Sequence, residues 1–198
     1  MQPTDTTGQS WPFTGLRPLS YGVIMADPPW RFDLRSAAGE EKSPQAQYAC
    51  MPLDEIKALP VAQLAARDCL LWLWATFPML PQAIDTMSAW GFRYVTGGAW
   101  HKKTVHGKTA FGTGYVMRSA AEPFPIGKIG APSVVSKSER NLIEAEVREH
   151  SRKPDQAYDV VERLCPKVLC CELFARQLLL RPHWFHWGNQ ADKFGSAA

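Results

Sequence analysis

The sequence predicts an α/β protein built on one mostly parallel sheet. Two observations carry this reading. Short apolar runs rich in β-formers alternate along the chain with segments of helical spacing. Several of these runs also stop at prolines, glycines or polar turn formers, as strands that feed loops at a sheet edge do. With 198 residues, 45% hydrophobic and 21% charged, the chain can build one sizeable core, so a single domain is expected.

Residues 1–18 hold scattered Thr and Pro without a period and read as an extended or flexible lead-in, with the domain proper over 19–198. Tyr21 to Ala26 is a buried strand that ends at Asp27-Pro28-Pro29, where two prolines cannot continue a ladder. Residues 31–50 are a polar loop. Leu53 to Ala66 has helical spacing that Pro60 divides into two pieces, and Cys69 to Trp74 is a second buried strand. Phe77, Leu80, Ile84, Met87 and Trp90 mark a helix with prolines in its first turn and Gly91 as its stop. Phe92 to Trp100 is a strand. The stretch 101–140 is glycine-rich and aperiodic and reads as a functional loop, with Tyr115 to Ser119 as a short strand inside it. Asn141 to Glu149 has helical propensity but no settled type, and Pro154 opens a clearer helix through Leu164. Val168 to Phe174 and Trp184 to Trp187 complete the strands. In such sheets ligands sit at strand carboxyl ends, which places Asp27, Phe174 and Asn189 at the expected site.

Composition excludes several classes. Cys69 to Pro81, the longest nearly uncharged stretch, is too short to span a bilayer, and the N-terminus lacks a basic, then apolar, secretory pattern. A cytoplasmic protein without membrane contact is expected. The cysteines at 50, 69, 165, 170 and 171 are odd in number, contain no CxxC, and read as buried reduced thiols; their spacing with His183 and His186 fits no zinc site, so no metal is expected. Net charge is only +3. Residues 100–153, however, carry ten Lys/Arg against five Glu, an excess of +5 that suits a polyanion and equally suits solvated loops.

Asp27-Pro28-Pro29-Trp30 carries the most chemistry. A carboxylate and a proline carbonyl can accept both hydrogens of an exocyclic aromatic amine, pulling the nitrogen toward tetrahedral geometry, while an indole face can stack a flipped base. Taken alone, the tetrapeptide is equally a strand-ending turn with a core Trp.

Longer segments decide for the first reading. IMADPPW (24–30), QYACMPLDEI (47–56), LLWLWAT (70–76), MSAWGF with W-x-K (87–102), REHSRKPD (148–155), ELFAR (172–176) and WGNQ (187–190) occur in one order. Together they resemble the N6-adenine methyltransferases related to the catalytic subunit of the messenger-RNA adenosine methyltransferase, in their compact bacterial and phage form. The resemblance implies a Rossmann-like class I methyltransferase sheet in permuted, β-class-like strand order. It also implies S-adenosylmethionine as cofactor, with S-adenosylhomocysteine as product. Asp27, Pro28, Pro29 and Trp30 then resemble the catalytic loop, and Tyr48 an aromatic gate over the adenine. Lys153 resembles the lysine near target base and cofactor carboxylate, and Asp27, Ser151, Glu172, Phe174, Arg176, Asn189 and Gln190 the rest of the cofactor shell. Glu172 and Arg176 could instead form a structural ion pair. Gln177 to Leu180, largely apolar, and Glu122, followed by Pro123, depart from the family pattern.

The implied reaction is methyl transfer to adenine N6. DNA is the favoured polymer, by likeness to the compact relatives; RNA, or a role as an inactive nucleic-acid-binding subunit, is the alternative. Lys102, Lys103, Lys108, Lys137, Arg140 and Arg152 are candidates for phosphate contacts, with loops 31–50 and 101–140 as the DNA-touching elements. Low sequence specificity follows, in a monomer or homodimer.

Overall fold

The computed structural model describes residues 11–30, 50–114, 116–148, 152–176 and 181–188. The strands are β1 (Tyr21–Ala26), β2 (Ala65–Leu73), β3 (Arg93–Lys103), β4 (Ala121–Ile129), β5 (Leu142–Glu146), β6 (Cys170–Leu173) and β7 (Trp184–Trp187). The helices are α1 (Leu53–Ala58), α2 (Leu80–Ala89) and α3 (Asp155–Leu164), with 3₁₀ turns at Val61–Leu64 and Phe77–Met79. Among the described residues these seven strands form one sheet in the order β5-β3-β4-β2-β1-β6-β7. Only β4 runs against the others.

The period of two sorts each central strand onto two cores. Ile24 and Ala26 of β1 and Cys69, Leu71 and Leu73 of β2 face a core completed by Ile56 of α1 and by Ala83 and Met87 of α2. Val23, Met25 and Trp72 face the other, closed by Ala157, Tyr158, Val160 and Val161 of α3. Helices therefore cover both faces, as a sheet with buried central strands requires. Gly91, at φ 79, ends α2 in the left-handed conformation that suits glycine.

Two expectations are corrected, and the segment whose type was open is settled. The lead-in is not separate from the domain over residues 11–18: Trp11, Phe13 and Leu16 are buried, Phe13 packs edge-on against Trp187 at 5.1 Å, and the Trp187 indole donates to the Pro12 carbonyl at 3.0 Å. The segment 141–149, whose charged residues favour a helix, contains strand β5 with an exposed-buried alternation. The expected loop over 101–140 contains β4, and no strand forms over the described residues 116–119.

Pro123 and Pro125 lie in β4, a central strand, where a proline lacks the N–H that a ladder needs. The Pro123 carbonyl accepts from Ala75 N–H at 3.0 Å, so its nitrogen points to the β2 side, and Pro125 points the same way. The β2 ladder stops at Trp72 opposite Ile126, before either proline, so neither missing N–H breaks a bond of that ladder.

Candidate active site

Asp27 follows β1 directly, and the end of that strand is gripped from both sides. Asp27 N–H donates to Leu173 O on β6 at 3.3 Å, and Trp74 N–H, just past β2, donates to Ala26 O at 2.8 Å. Chain connections leave β1 toward β2 on one side and β6 toward β7 on the other, so Asp27 stands at a topological switch point, the place where sheets of this kind bind ligands at the strands' carboxyl ends. The strand that the resemblance assigns to the cofactor, β6, lies beside β1 although it comes much later in the chain, which is the expected permuted order.

The proline loop is held by its own carbonyls. Pro28 O accepts from Trp30 N–H at 2.8 Å, and Pro29 O accepts from Met51 N–H at 3.1 Å. A carbonyl has two acceptor sites, so Pro28 O keeps one.

Trp30 is a correction. It was expected to offer a free face to a base, yet it is 4% exposed, belongs to the core on the α1 and α2 face, and donates its indole N–H to Trp74 O at 3.0 Å. Its large apolar ring lies deep where the loop turns back onto β2, so here it anchors the loop.

Four charged side chains, Asp27 first among them, form a line. Lys153, immediately before Pro154 and α3, places Nζ 3.1 Å from Asp27 Oδ1 and pairs through the same atom with Glu122 Oε1. Glu122 Oε2 in turn receives Lys102 Nζ at 2.8 Å. Lys153 lies over the Trp74 ring at 5.3 Å, and Lys102 over Trp100 at 5.0 Å. Two cations and two carboxylates thus share one largely dry strip. Burial alone pushes the Lys153 ammonium toward neutrality, but Asp27 and Glu122 overcome it and hold Lys153 above its ordinary value. Burial pushes Glu122 up, and Lys153 and Lys102 overcome that and hold it well below the usual carboxylate range.

Arg148 sets where Lys153 starts. Its guanidinium grips both oxygens of Asp155 at 2.9 Å and donates to the Lys153 carbonyl at 2.8 Å. Sequence reasoning noted Glu122 only as a departure from the family pattern and Arg148 only as part of the basic excess, and gave neither a role in the site. The signal for Arg148 was present: an Arg and an Asp bracket the motif REHSRKPD.

The other expected site residues separate. Lys103 pairs with Glu144 at 3.1 Å. Arg152 and Arg176 are half-buried. Glu172, buried on β6, is held by the Tyr158 hydroxyl at 2.9 Å and His186 Nδ1 at 3.3 Å, so both its oxygens have protein partners. Phe174 ends β6 at φ 63, a left-handed conformation that costs a side-chain-bearing residue about 1–3 kcal/mol, and its ring meets Trp187 at 5.4 Å. Tyr48, Ser151, Asn189 and Gln190 lie outside the described residues. Cys69, Cys165, Cys170 and Cys171 are buried, and burial pushes the Cys170 thiol up to about 12. Among the described residues no helix is long and apolar enough to cross a membrane, and no group of three His, Cys, Asp or Glu is placed to hold a metal.

An acidic proline loop at the switch point of a seven-stranded, doubly covered sheet with one antiparallel strand defines a Rossmann-like methyltransferase fold. The chain belongs to the MT-A70 family, whose model matches residues 21–190. It is 32% identical to the N(6)-adenosine-methyltransferase MT-A70-like of Arabidopsis thaliana, over 87% of this chain and 24% of that protein. It is 30% identical to the human N(6)-adenosine-methyltransferase catalytic subunit METTL3, over 87% of this chain and 28% of that protein. It is also 30% identical to the type II methyltransferase M.MunI of Mycoplasma sp., over 89% of this chain and 80% of that protein. The chain thus spans about a quarter of the eukaryotic relatives it matches.

Proposed function

We propose that this chain transfers a methyl group from S-adenosylmethionine to the N6 amine of adenine in DNA, with little demand on neighbouring bases. The observation that carries this reading is Asp27, an acidic group at the switch-point end of β1, oriented by a buried lysine. Lys153 engages Oδ1, and no other described side chain takes Oδ2, which is left to accept one N6–H. The second acceptor site of Pro28 O suits the other. Both acceptors are preorganised by backbone bonds and draw the amine lone pair out of the ring, the step a delocalised nitrogen needs before it can act as a nucleophile. The amine gives up one proton to solvent as it gains the methyl.

The donor set fits the cofactor. Trp74 Nε1 and Thr76 Oγ1, both at the carboxyl end of β2 beside the acidic loop, are buried without a hydrogen-bond partner, and such orphaned groups suit a polar ligand. When bound, S-adenosylmethionine supplies a methyl on a sulfonium and leaves as S-adenosylhomocysteine. Asp27 and Lys153 are the charged groups for its amino and carboxylate ends, Phe174 and Arg176 flank it beyond β6, and Ser151, Asn189 and Gln190 join them by resemblance. Glu172, already doubly bonded, acts by holding β6, α3 and β7 together. DNA is preferred over RNA because the match nearly fills the mycoplasma type II methyltransferase.

The test is transfer of labelled methyl from S-adenosylmethionine to matched DNA and RNA oligonucleotides by the wild type and Asp27→Asn. Label should enter adenine N6 of DNA, and the variant should lose at least about a hundredfold in rate while its cofactor binding, weakened at the amino end, stays measurable by calorimetry. Label in RNA alone would overturn the polymer, and wild-type turnover by Asp27→Asn would overturn the mechanism. Mapping methylated adenines on a plasmid tests specificity: confinement to one four- to six-base motif would refute that part.

A further inference from the structure

The connection between β3 and β4 leaves the sheet at the same end as Asp27, because β3 runs parallel to β1 and β2. It is tied rather than loose. Thr104 N–H donates to Lys108 O at 2.8 Å, Gly112 N–H to Ser119 O at 2.9 Å, and Ser119 N–H to Thr113 O at 3.0 Å. The Lys102 backbone braces both arms, donating to Ala120 O at 2.9 Å and accepting from Ala110 N–H at 2.8 Å. Lys102 is also the outer member of the charged line that ends at Asp27.

This ordered loop presents apolar side chains to water. Val116 is 98% exposed, Met117 82% and Phe111 79%. Side chains this apolar, held out by a bonded loop beside an active site, suit a partner surface better than solvent. Charge selects the partner. From residue 86 to residue 121 the sequence has no Asp or Glu but has Arg93, Lys102, Lys103, Lys108 and Arg118. Arg118 sits over the Phe111 ring at 5.4 Å, which puts a cation at the root of the apolar tip. A second copy docking through this loop on a two-fold axis would set like charges against like. A polyanion with a stack of apolar faces meets both features.

We infer that the β3–β4 loop is a wedge for duplex DNA, with Val116 and Met117 entering the base stack beside the extruded adenine. The inference rests on the proposed DNA adenine methylation. Taking a base out of the duplex leaves an unstacked gap, and an apolar side chain that fills it lowers the cost of extrusion. Arg118 and Lys108 would hold the flanking phosphates.

The experiment compares the full chain with its Val116→Ser, Met117→Ser double variant. Both positions are exposed, so its melting temperature should match the wild type. The readouts are methyl transfer to a duplex, methyl transfer to the same target strand alone, and fluorescence of 2-aminopurine at the target position of the duplex. Transfer to the duplex should fall by at least about tenfold and the fluorescence rise should vanish, while transfer to the single strand stays within about twofold. Unchanged duplex transfer, or an equal fall on both substrates, would overturn the wedge. A wild-type dimer that the variant converts to monomer with duplex transfer intact would assign the loop to self-association and overturn it too. A wild type inactive on every DNA would instead overturn the proposed function.

Discussion

Replacing Glu122 by Gln keeps the shape of the side chain and removes one of the two negative charges that hold Lys153. Glu122 is 8% exposed and binds both Lys153 and Lys102, so the substitution leaves a buried ammonium with Asp27 alone and strands the Lys102 charge over Trp100. Breaking a buried pair by neutralising one member costs about 3–5 kcal/mol, because the remaining ion keeps its desolvation cost. The two ammonium groups hold Glu122 well below the usual carboxylate range, so the fold favours its charged form, in the same direction. A loss of about 3–5 kcal/mol is a large share of the roughly 5–15 kcal/mol by which domains are stable.

The sign with pH follows from the direction of each shift. Glu122 is depressed, so its contribution is present above its unfolded value of 4.5 and is lost as pH falls toward about 2. Lys153 is raised, so its contribution is intact below its unfolded value of 10.5 and is lost only in stronger alkali. Urea unfolding of wild type and Glu122→Gln should differ by about 3–5 kcal/mol at neutral pH, with the gap narrowing as pH drops below 4.5. A gap under about 1 kcal/mol at neutral pH, or one that does not narrow in acid, would refute the picture of a dry charged line.

Trp30→Ala should destabilise by about 3–5 kcal/mol in urea titrations and Trp30→Phe by clearly less, since the ring fills core space and its N–H serves Trp74 O; normal stability in the Ala variant would return Trp30 to a base-stacking role. Arg148→Lys keeps the charge but loses the fork on Asp155, so kcat/KM should fall about tenfold while stability moves by less than about 1 kcal/mol, the pair being partly exposed. Equal losses in rate and stability would make Arg148 a fold residue only. Gly188→Ala would place a Cβ 2.5 Å from Ala175 O, forcing the loops after β6 and β7 apart. Cofactor affinity by calorimetry should weaken, with about 1–3 kcal/mol lost from the fold, and wild-type affinity would show that the loops do not shape that pocket.

Strands β1, β2, β6 and β7 were readable because each is a short apolar run whose end carries a turn former or a proline. The sequence signals that failed were local ones overruled by distant partners. β5 is an edge strand whose Glu144 and Glu146 suggest a helix, yet Ile143 and Ala145 supply the buried alternation that docks it beside β3. Trp11, Phe13 and Leu16 show no period, because they plug a gap between core and β7 rather than line one face of an element. β4 carries two prolines and Gly127, whose absent Cβ admits the Met87 sulfur of α2. A residue-by-residue reading removes such a strand and removes Glu122 with it.

The same blindness to distant pairing explains the charge map. Counting Lys and Arg over 100–153 gives a basic surface only if each cation faces solvent. The fold turns several of them inward or against acids instead: Lys102 and Lys153 to Glu122, Lys103 to Glu144, Arg148 to Asp155. Partners 31 residues apart, such as Lys153 and Glu122, cannot be matched by local spacing, since only the sheet register of β3 and β4 brings Glu122 opposite Trp100 and beside Lys102. Once those pairs are set aside, the exposed cations at the Asp27 end include Lys108 and Arg118 on the β3–β4 loop, the element that also carries the exposed Phe111, Val116 and Met117. Among the described residues, fewer cations of the 100–153 stretch face solvent unpaired than its excess of +5 suggests. It is this cationic rim around an apolar tip, able to hold a backbone and to fill an unstacked gap, on which the proposed wedge for an extruded adenine rests.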